Sequence, residues 1–433
     1  MRLRLAALAV CIAACAVVLP TSAADPAATL TLDDAFARVA DYQGQSHPEL
    51  RLFGARSDVL AAERERAALR PALVAGATVE NAFGSGDSGG LQGAEFTLSL
   101  ASILERGGKL DARRTLAQSR IDALAVERET RRLDLLAEVA RRYLAIVAAQ
   151  RQGEIAQLDI AQRQRTVGGA RQRLQAGASP ESVVLTAQAA LARAELDRAR
   201  AEQRSAAARQ HLAALWGERA PTFDVATRNP LALPAISDFS ALAALIQDTP
   251  ELAQFADEQR IREARLQLAR SGGSADLDWQ VGVRRLQATD DFGLVGSVSI
   301  PLGSRTRAQP DIRIAEAELT SLGIEREAKG LALYSTLAEA HGRYRVAQVE
   351  VQRLQNDVLP KLGQAETAAE RAYRAGAISY LEWAQLQSER TAARKQQLDA
   401  ALDAQRALIE IQRLTGQPFI AAPVVATAQG ITP

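Results

Sequence analysis

Metal ligation and acid–base catalysis are the chemistries that histidines, cysteines and paired carboxylates could supply, and the sequence offers little of either. Its three histidines, His47, His211 and His341, are far apart, with none at i+3 or i+4 from another. Both cysteines, Cys11 and Cys15, fall inside an N-terminal apolar stretch that reads as an export signal. The mature chain would then hold no thiolate ligand and no disulfide. A transition-metal ligand set of the usual kind cannot assemble within one such chain, so no resident metal or other cofactor is expected. Carboxylates such as Glu127 and Glu129 sit among arginines in the mixed-charge pattern of an exposed helix. The sequence contains no G-x-S-x-G elbow, no phosphate-binding G-x-x-x-x-G-K-[ST], no dinucleotide fingerprint and no H-E-x-x-H. An enzyme is therefore not expected. The net charge of +1 gives no field that would draw nucleic acid.

The informative residues are glycines in long runs of helix formers. "RLQAGASPESVV" at 173–184 and "RAYRAGAISYLEW" at 371–383 put Gly177 and Gly376 199 residues apart (376 − 177). Glycine takes the left-handed conformation freely at a helix C-terminus, so each "AGA" reads as the turn of a helical hairpin. Ser179 and Ser379 stand where they could cap the returning helices. Glu181 and Glu382 follow as helix-start acids, a position the N-terminal dipole favours. Other landmarks repeat in the same order: "SHPEL" at 46–50 with "DTPEL" at 248–252, "FTLSL" at 96–100 with "GSVSI" at 296–300, and "LWG" at 215–217 with "LTG" at 414–416. Such order at nearly constant offset indicates an internal duplication.

The organisation expected from this is a signal at 1–24, with cleavage near Ala23 or Ala24. A lipidated Cys15 is the rival reading. A first repeat follows at 25–216, a proline-rich linker at 217–238, a second repeat at 239–416, and a flexible tail at 417–433. Within each repeat a helix precedes a β-hairpin, at 72–101 and again at 277–301. Leu277, Trp279, Val281 and Val283 alternate with Asp278, Gln280, Gly282 and Arg284, the period of a strand with one oily and one wet face. After each hairpin the helical period runs long. Leu337, Ala340, Tyr344, Ala347, Val351, Leu354 and Val358 form a heptad seam, and Leu185, Ala189, Ala192, Leu196 and Ala199 form another. The fold class expected is mainly α with a small β part: two long helical hairpins and four strands. Four strands are too few to close a barrel by themselves.

This pattern resembles the TolC-like outer-membrane efflux family over essentially the whole mature chain. The carrying residues are the duplicated "PEL" helices, the two hairpins and the two "AGA" turns at 176–178 and 375–377. "ILERGGKLDARRTLAQSRIDA" at 103–123 and "VGVRRLQATDDFGLVGSVSIPLGSRTRAQPDIRIAEAEL" at 281–319 are similar to the heavy-metal (cobalt-zinc-cadmium type) branch. The resemblance implies a homotrimer whose strands form one twelve-stranded outer-membrane β-barrel over a periplasmic α-barrel. It further implies a periplasmic adaptor, an inner-membrane proton-driven pump, and passive export of divalent heavy-metal cations; drugs or other small molecules are the alternative cargo. Lipid would meet Leu277, Trp279, Val281, Phe96, Leu98 and Leu100. The adaptor would meet Arg173, Leu174, Gly177, Ala178, Ser179, Arg374, Gly376, Ala377 and Ser379. Family members narrow the periplasmic mouth with acidic residues beyond the turn glycine. Glu382 fits that position, whereas Val183 occupies it in the first half and Glu181 lies two residues earlier. A periplasmic coiled-coil scaffold is the competing reading, but it would have one helical hairpin rather than two in duplicate.

Overall fold

The structure, a computed structural model, describes residues 29–419 other than 43–44 and 227–228. The signal at 1–24, with Cys15, and residues 420–433 of the tail lie outside the described residues.

The chain opens with β1 (Thr29–Leu30) and α1 (Leu32–Ala40), the latter started by a Thr31–Asp34 capping box. Next come α2 (Pro48–Ala67), β2 (Val74–Glu80), β3 (Glu95–Leu104), α3 (Lys109–Gln175) and α4 (Glu181–Ala213). The linker contributes β4 (Asp224–Val225), parallel to β1. The order then repeats as α5 (Phe239–Leu245), α6 (Pro250–Ser271), β5 (Leu277–Leu286), β6 (Asp291–Ser299), α7 (Ser304–Arg353), α8 (Leu359–Arg374) and α9 (Tyr380–Thr415). Pro48 and Pro250 open corresponding helices, where a missing N–H costs nothing. At 67 residues, α3 is a rod of about 100 Å at 1.5 Å per residue.

The three largest of the apolar clusters among the described residues hold the rods together. Near mid-length, Tyr143 and Ile146 of α3 pack with Leu212, Trp216, Phe223 and Val225. The second half repeats this with Leu337, Tyr344 and Ala347 of α7 against Leu242, Leu408 and Ile411. In each cluster one tyrosine hydroxyl pins chain that crosses the rods: Tyr143 donates to the Leu30 and Ala226 carbonyls at 3.2 and 3.3 Å, and Tyr344 donates to that of Pro234. The linker is thus bound to both halves. The third cluster joins the two hairpins at their tips.

The two hairpins keep their seams in phase by different means. From Tyr143 to Gly177 is 34 residues, and from Tyr344 to Gly376 is 32. Between α7 and α8, residues Leu354–Val358 form a π-helical turn that takes up one extra residue. The loss of two residues plus the one absorbed removes close to one helical turn, so the seam returns to the same face. At the tips, Val167, Ala170 and Leu174 therefore correspond to Glu366, Ala369 and Tyr373. This corrects the expected seam at its last position: Val358 is 38% exposed, because the π turn moves the stripe on by one residue.

The α4 seam also differs from expectation. Val184, Ala187, Ala194 and Ala201 are buried, while the neighbouring stripe is left open, with Leu185 57% and Leu196 48% exposed.

Candidate functional site

Two regions carry residues with a possible role. At each tip the helix ends in a Schellman turn. Gly177 (φ 71°) donates to the Leu174 carbonyl at 2.9 Å and Ala178 to that of Arg173 at 2.8 Å. Gly376 (φ 77°) donates to Tyr373 at 3.0 Å and Ala377 to Ala372 at 2.8 Å. A side chain at either glycine would be strained in this left-handed conformation.

The returning helices begin differently. Ser379 and Glu382 form a capping box: the Ser379 N–H donates to Glu382 Oε2 at 2.7 Å and the Glu382 N–H to Ser379 Oγ at 3.3 Å. Those hydrogen bonds from the Ser379 backbone and side chain hold the Glu382 carboxyl below its ordinary range. In the first half, Pro180 takes the N-cap and no side chain caps the helix. The expectation for Ser179 is corrected accordingly. At an offset of 199 its counterpart is Ile378, and the counterpart of Ser379 is Pro180. Glu181 is the exposed first residue of α4.

Arg173 has the most contacts at the tip. Its guanidinium donates to the Tyr373 carbonyl at 2.5 Å and the Ala178 carbonyl at 3.4 Å, and lies 4.8 Å from the centre of the Tyr373 ring. One side chain of the first hairpin thus holds its own turn and the last helical turn of the second. Arg374, by contrast, only reaches back to Glu370 at 2.6 Å and is mostly exposed. Beneath Arg173, the Tyr373 ring stacks on Trp383 at 5.0 Å and meets Tyr380 edge-on at 6.5 Å, with Leu174 half-buried beside them. Burial raises the phenols of Tyr373 and Tyr380, and neighbouring Arg173 and Arg163 respectively offset part of this. Tyr373 Oη and Trp383 Nε1 are both buried without a hydrogen-bond partner. Each such group costs roughly 1–3 kcal/mol.

Two turns further from the tip lies a buried polar layer that sequence reading missed. Arg163 pairs with Asp159 at 3.2 Å and donates to Gln387 and Ser388 of α9 at 3.3 and 3.1 Å. Thr391 donates to Asp159 at 3.0 Å, and Gln387 to Thr166 at 3.0 Å. The signal was present: Arg163 falls between Ile160 and Val167 at an apolar position of the α3 seam.

The second region is the antiparallel sheet, in the order β2-β3-β5-β6. Its register puts Phe96 opposite Arg285, Leu98 opposite Val283 and Leu100 opposite Val281, with Trp279 and Leu277 further along the same face. The six residues expected to meet lipid therefore share one face, continued by Phe292, Leu294 and Val298 of β6. That face is uncovered by the chain, with Leu98 69% and Leu294 91% exposed. On the opposite face Arg284 donates to Thr97 at 3.0 Å, Glu95 at 2.6 Å and Glu80 at 2.8 Å, tying three strands together. Strands β2 and β6 each have one unpaired edge. Among the described residues no group of three His, Cys, Asp or Glu side chains is placed to hold a metal, and no helix is long and apolar enough to cross a membrane.

Long paired helical hairpins beside a two-faced, open-edged sheet make up one recognisable architecture. Comparison with known proteins agrees. The family described as Outer membrane efflux protein matches residues 27–218, essentially the first repeat. The cobalt-zinc-cadmium resistance protein CzcC of Cupriavidus metallidurans is 29% identical over 317 residues, 72% of this chain and 75% of that protein. Among solved structures, CusC superposes with a TM-score of 0.72 at 18% identity, covering 89% of this chain and 91% of that one. The outer membrane protein VceC of Vibrio cholerae gives 0.72 at 16% identity, covering 90% and 97%. The chain is thus similar to the outer membrane efflux protein family over residues 27–218, and to CusC and VceC in fold.

Proposed function

We propose that this chain is one third of a passive exit duct in the outer membrane, serving a tripartite exporter of divalent heavy-metal cations. The observation that carries the duct is the sheet. Its apolar face is exposed, its other face is polar, and both its edges are open. Each unpaired edge group would cost several kcal/mol in hydrocarbon, so the edges must be closed by other copies. Three copies of four strands supply twelve, enough for a barrel with a wet interior. The uncovered Leu185–Leu196 stripe of α4 supports side-by-side packing of the rods in the same assembly.

Heavy-metal cargo is supported by the likeness to CzcC. A passive duct needs no tight cation site, which suits the scattered histidines. The tips are the proposed docking points for a periplasmic adaptor, which would couple the duct to an inner-membrane pump driven by proton flow. Docking at the Gly177 and Gly376 turns would compete for the carbonyls that Arg173 holds. The unpaired Tyr373 and Trp383 donors support a tip that rearranges, since separating the hairpins would let both reach water.

The test is the double variant Gly177→Pro with Gly376→Pro. Proline fixes φ near −65° and removes the N–H that each turn uses, so both Schellman turns are lost while the sheet is untouched. The expected outcome is an assembled trimer with export abolished, read as metal sensitivity. Normal metal tolerance would count against docking at the turns, and drug sensitivity without metal sensitivity would reassign the cargo.

A further inference from the structure

The apolar face of the sheet carries a single ionisable side chain among its paired strand residues, Arg285. The strand register places it in a row across all four strands: Val79, Phe96, Arg285 and Phe292. This row lies next to the hairpin turns, at the end of the sheet opposite the rods. If the rods extend into the periplasm, the row is at the outer boundary of the membrane.

Adjacent Arg284 shows what a satisfied arginine looks like in this sheet: its three nitrogens meet Thr97, Glu95 and Glu80. Arg285 has one acidic partner, Asp290, a turn residue with φ 58° whose side chain is 77% exposed. Its guanidinium lies 5.4 Å from the centre of the Phe292 ring, and its Nε is buried without a partner. An arginine on the lipid face of a barrel costs about 2–4 kcal/mol at the bilayer midplane and about 0–1 kcal/mol near the interface. The last row is thus the position on this face where it is tolerated, and there the guanidinium N–H groups that Asp290 does not take can donate to a second anion.

We propose that Arg285 binds the phosphate of an outer-leaflet lipid headgroup, an inference that rests on the apolar face meeting lipid. The lipid is favoured over free phosphate by the exposed Phe96 and Phe292 side chains that flank the guanidinium and continue into Leu98, Val283 and Leu294. They would hold the acyl chains of the molecule whose phosphate Arg285 contacts, whereas free phosphate would gain only one arginine already shared with Asp290.

The experiment uses the full assembly in three bilayers: phosphatidylcholine alone, phosphatidylcholine with bis-phosphorylated lipid A, and phosphatidylcholine with dephosphorylated lipid A. A fourth arm adds inorganic phosphate to phosphatidylcholine. Thermal midpoint and lipid retained in native mass spectra are read together. The wild type is expected to gain stability and retain lipid only with the phosphorylated form. Arg285→Gln should weaken retention about tenfold, the loss of one charge-assisted contact. Asp290→Asn should strengthen retention by removing the competing carboxylate. Equal retention by wild type and Arg285→Gln, weaker retention by Asp290→Asn, or an equal shift with inorganic phosphate would each overturn the assignment. Failure of the wild type to enter any bilayer would instead remove the lipid-facing reading, and this inference with it.

Discussion

The two hairpins perform the same structural task from different sequences. The first runs through α3 as one continuous rod, whereas the second is two residues shorter between its core tyrosine and its turn and contains the π turn at Leu354–Val358. Both bring matching seam residues to the shared tip cluster, Val167 and Ala170 from one and Ala369 and Tyr373 from the other, and both end in the same glycine turn. Phase, then, is what the packing demands, and length is adjusted to meet it. The halves also divide the work at the tip. The first supplies the arginine that spans the junction, and the second supplies the aromatic stack and the capped helix start.

Single-residue deletions should expose this difference most strongly. Deleting Gln355 lets the π turn revert to α-helix while leaving the phase of α8 unchanged, so assembly and export are expected to persist. Deleting Gln157 in α3 rotates every later residue by about 100° and turns Val167 and Ala170 off the seam. Loss of trimer or of protease resistance is expected there alone. Equal damage from both deletions would break the phase argument.

A smaller asymmetry is expected between the two tip arginines. Arg173→Ala removes two carbonyl contacts and a ring contact, costing the tip about 1–3 kcal/mol of local stability. Arg374→Ala removes only an exposed ion pair, worth about 0–0.5 kcal/mol. Hydrogen exchange at residues 167–187 and 366–387 would separate the two, and a larger effect for Arg374 would reverse the assignment.

The smallest difference lies in the caps. Ser379→Ala is expected to cost about 1 kcal/mol at the start of α9, and Ser179→Ala almost nothing. Because the folded Glu382 carboxyl titrates below its ordinary 4.5, its contribution is present above that value and is lost as pH falls through the lower folded one. Protection of the first turn of α9 should therefore decline on acidification, while that of α4 should not follow it for this reason. Exchange measured across that pH range checks both.

Much of this was legible because it rests on backbone rules. The duplication, the glycine turns and the two-faced strands are written in spacing, and the alternation of Leu277, Trp279 and Val281 fixed a face before any register was known. What escaped depended on relations between elements. A seam pattern on α4 fits two adjacent stripes equally well, and only the position of the neighbouring helices decides that Val184 rather than Leu185 is covered. The Ser179–Ser379 pairing failed because similar letters one residue out of register look alike when no helix start is known. The π turn left no local motif, only a two-residue deficit that had to be counted between Tyr344 and Gly376. The Arg163 layer was visible as a charge on a seam, but its partners on α9 are more than 200 residues away in sequence.

The central claim is that the sheet is incomplete until other copies extend it, and native mass spectrometry of the assembly extracted from outer membranes tests this most directly. Three chains per particle, dissociating only when the detergent shell is stripped, is the predicted result. A single chain, stable in water without detergent, would contradict it.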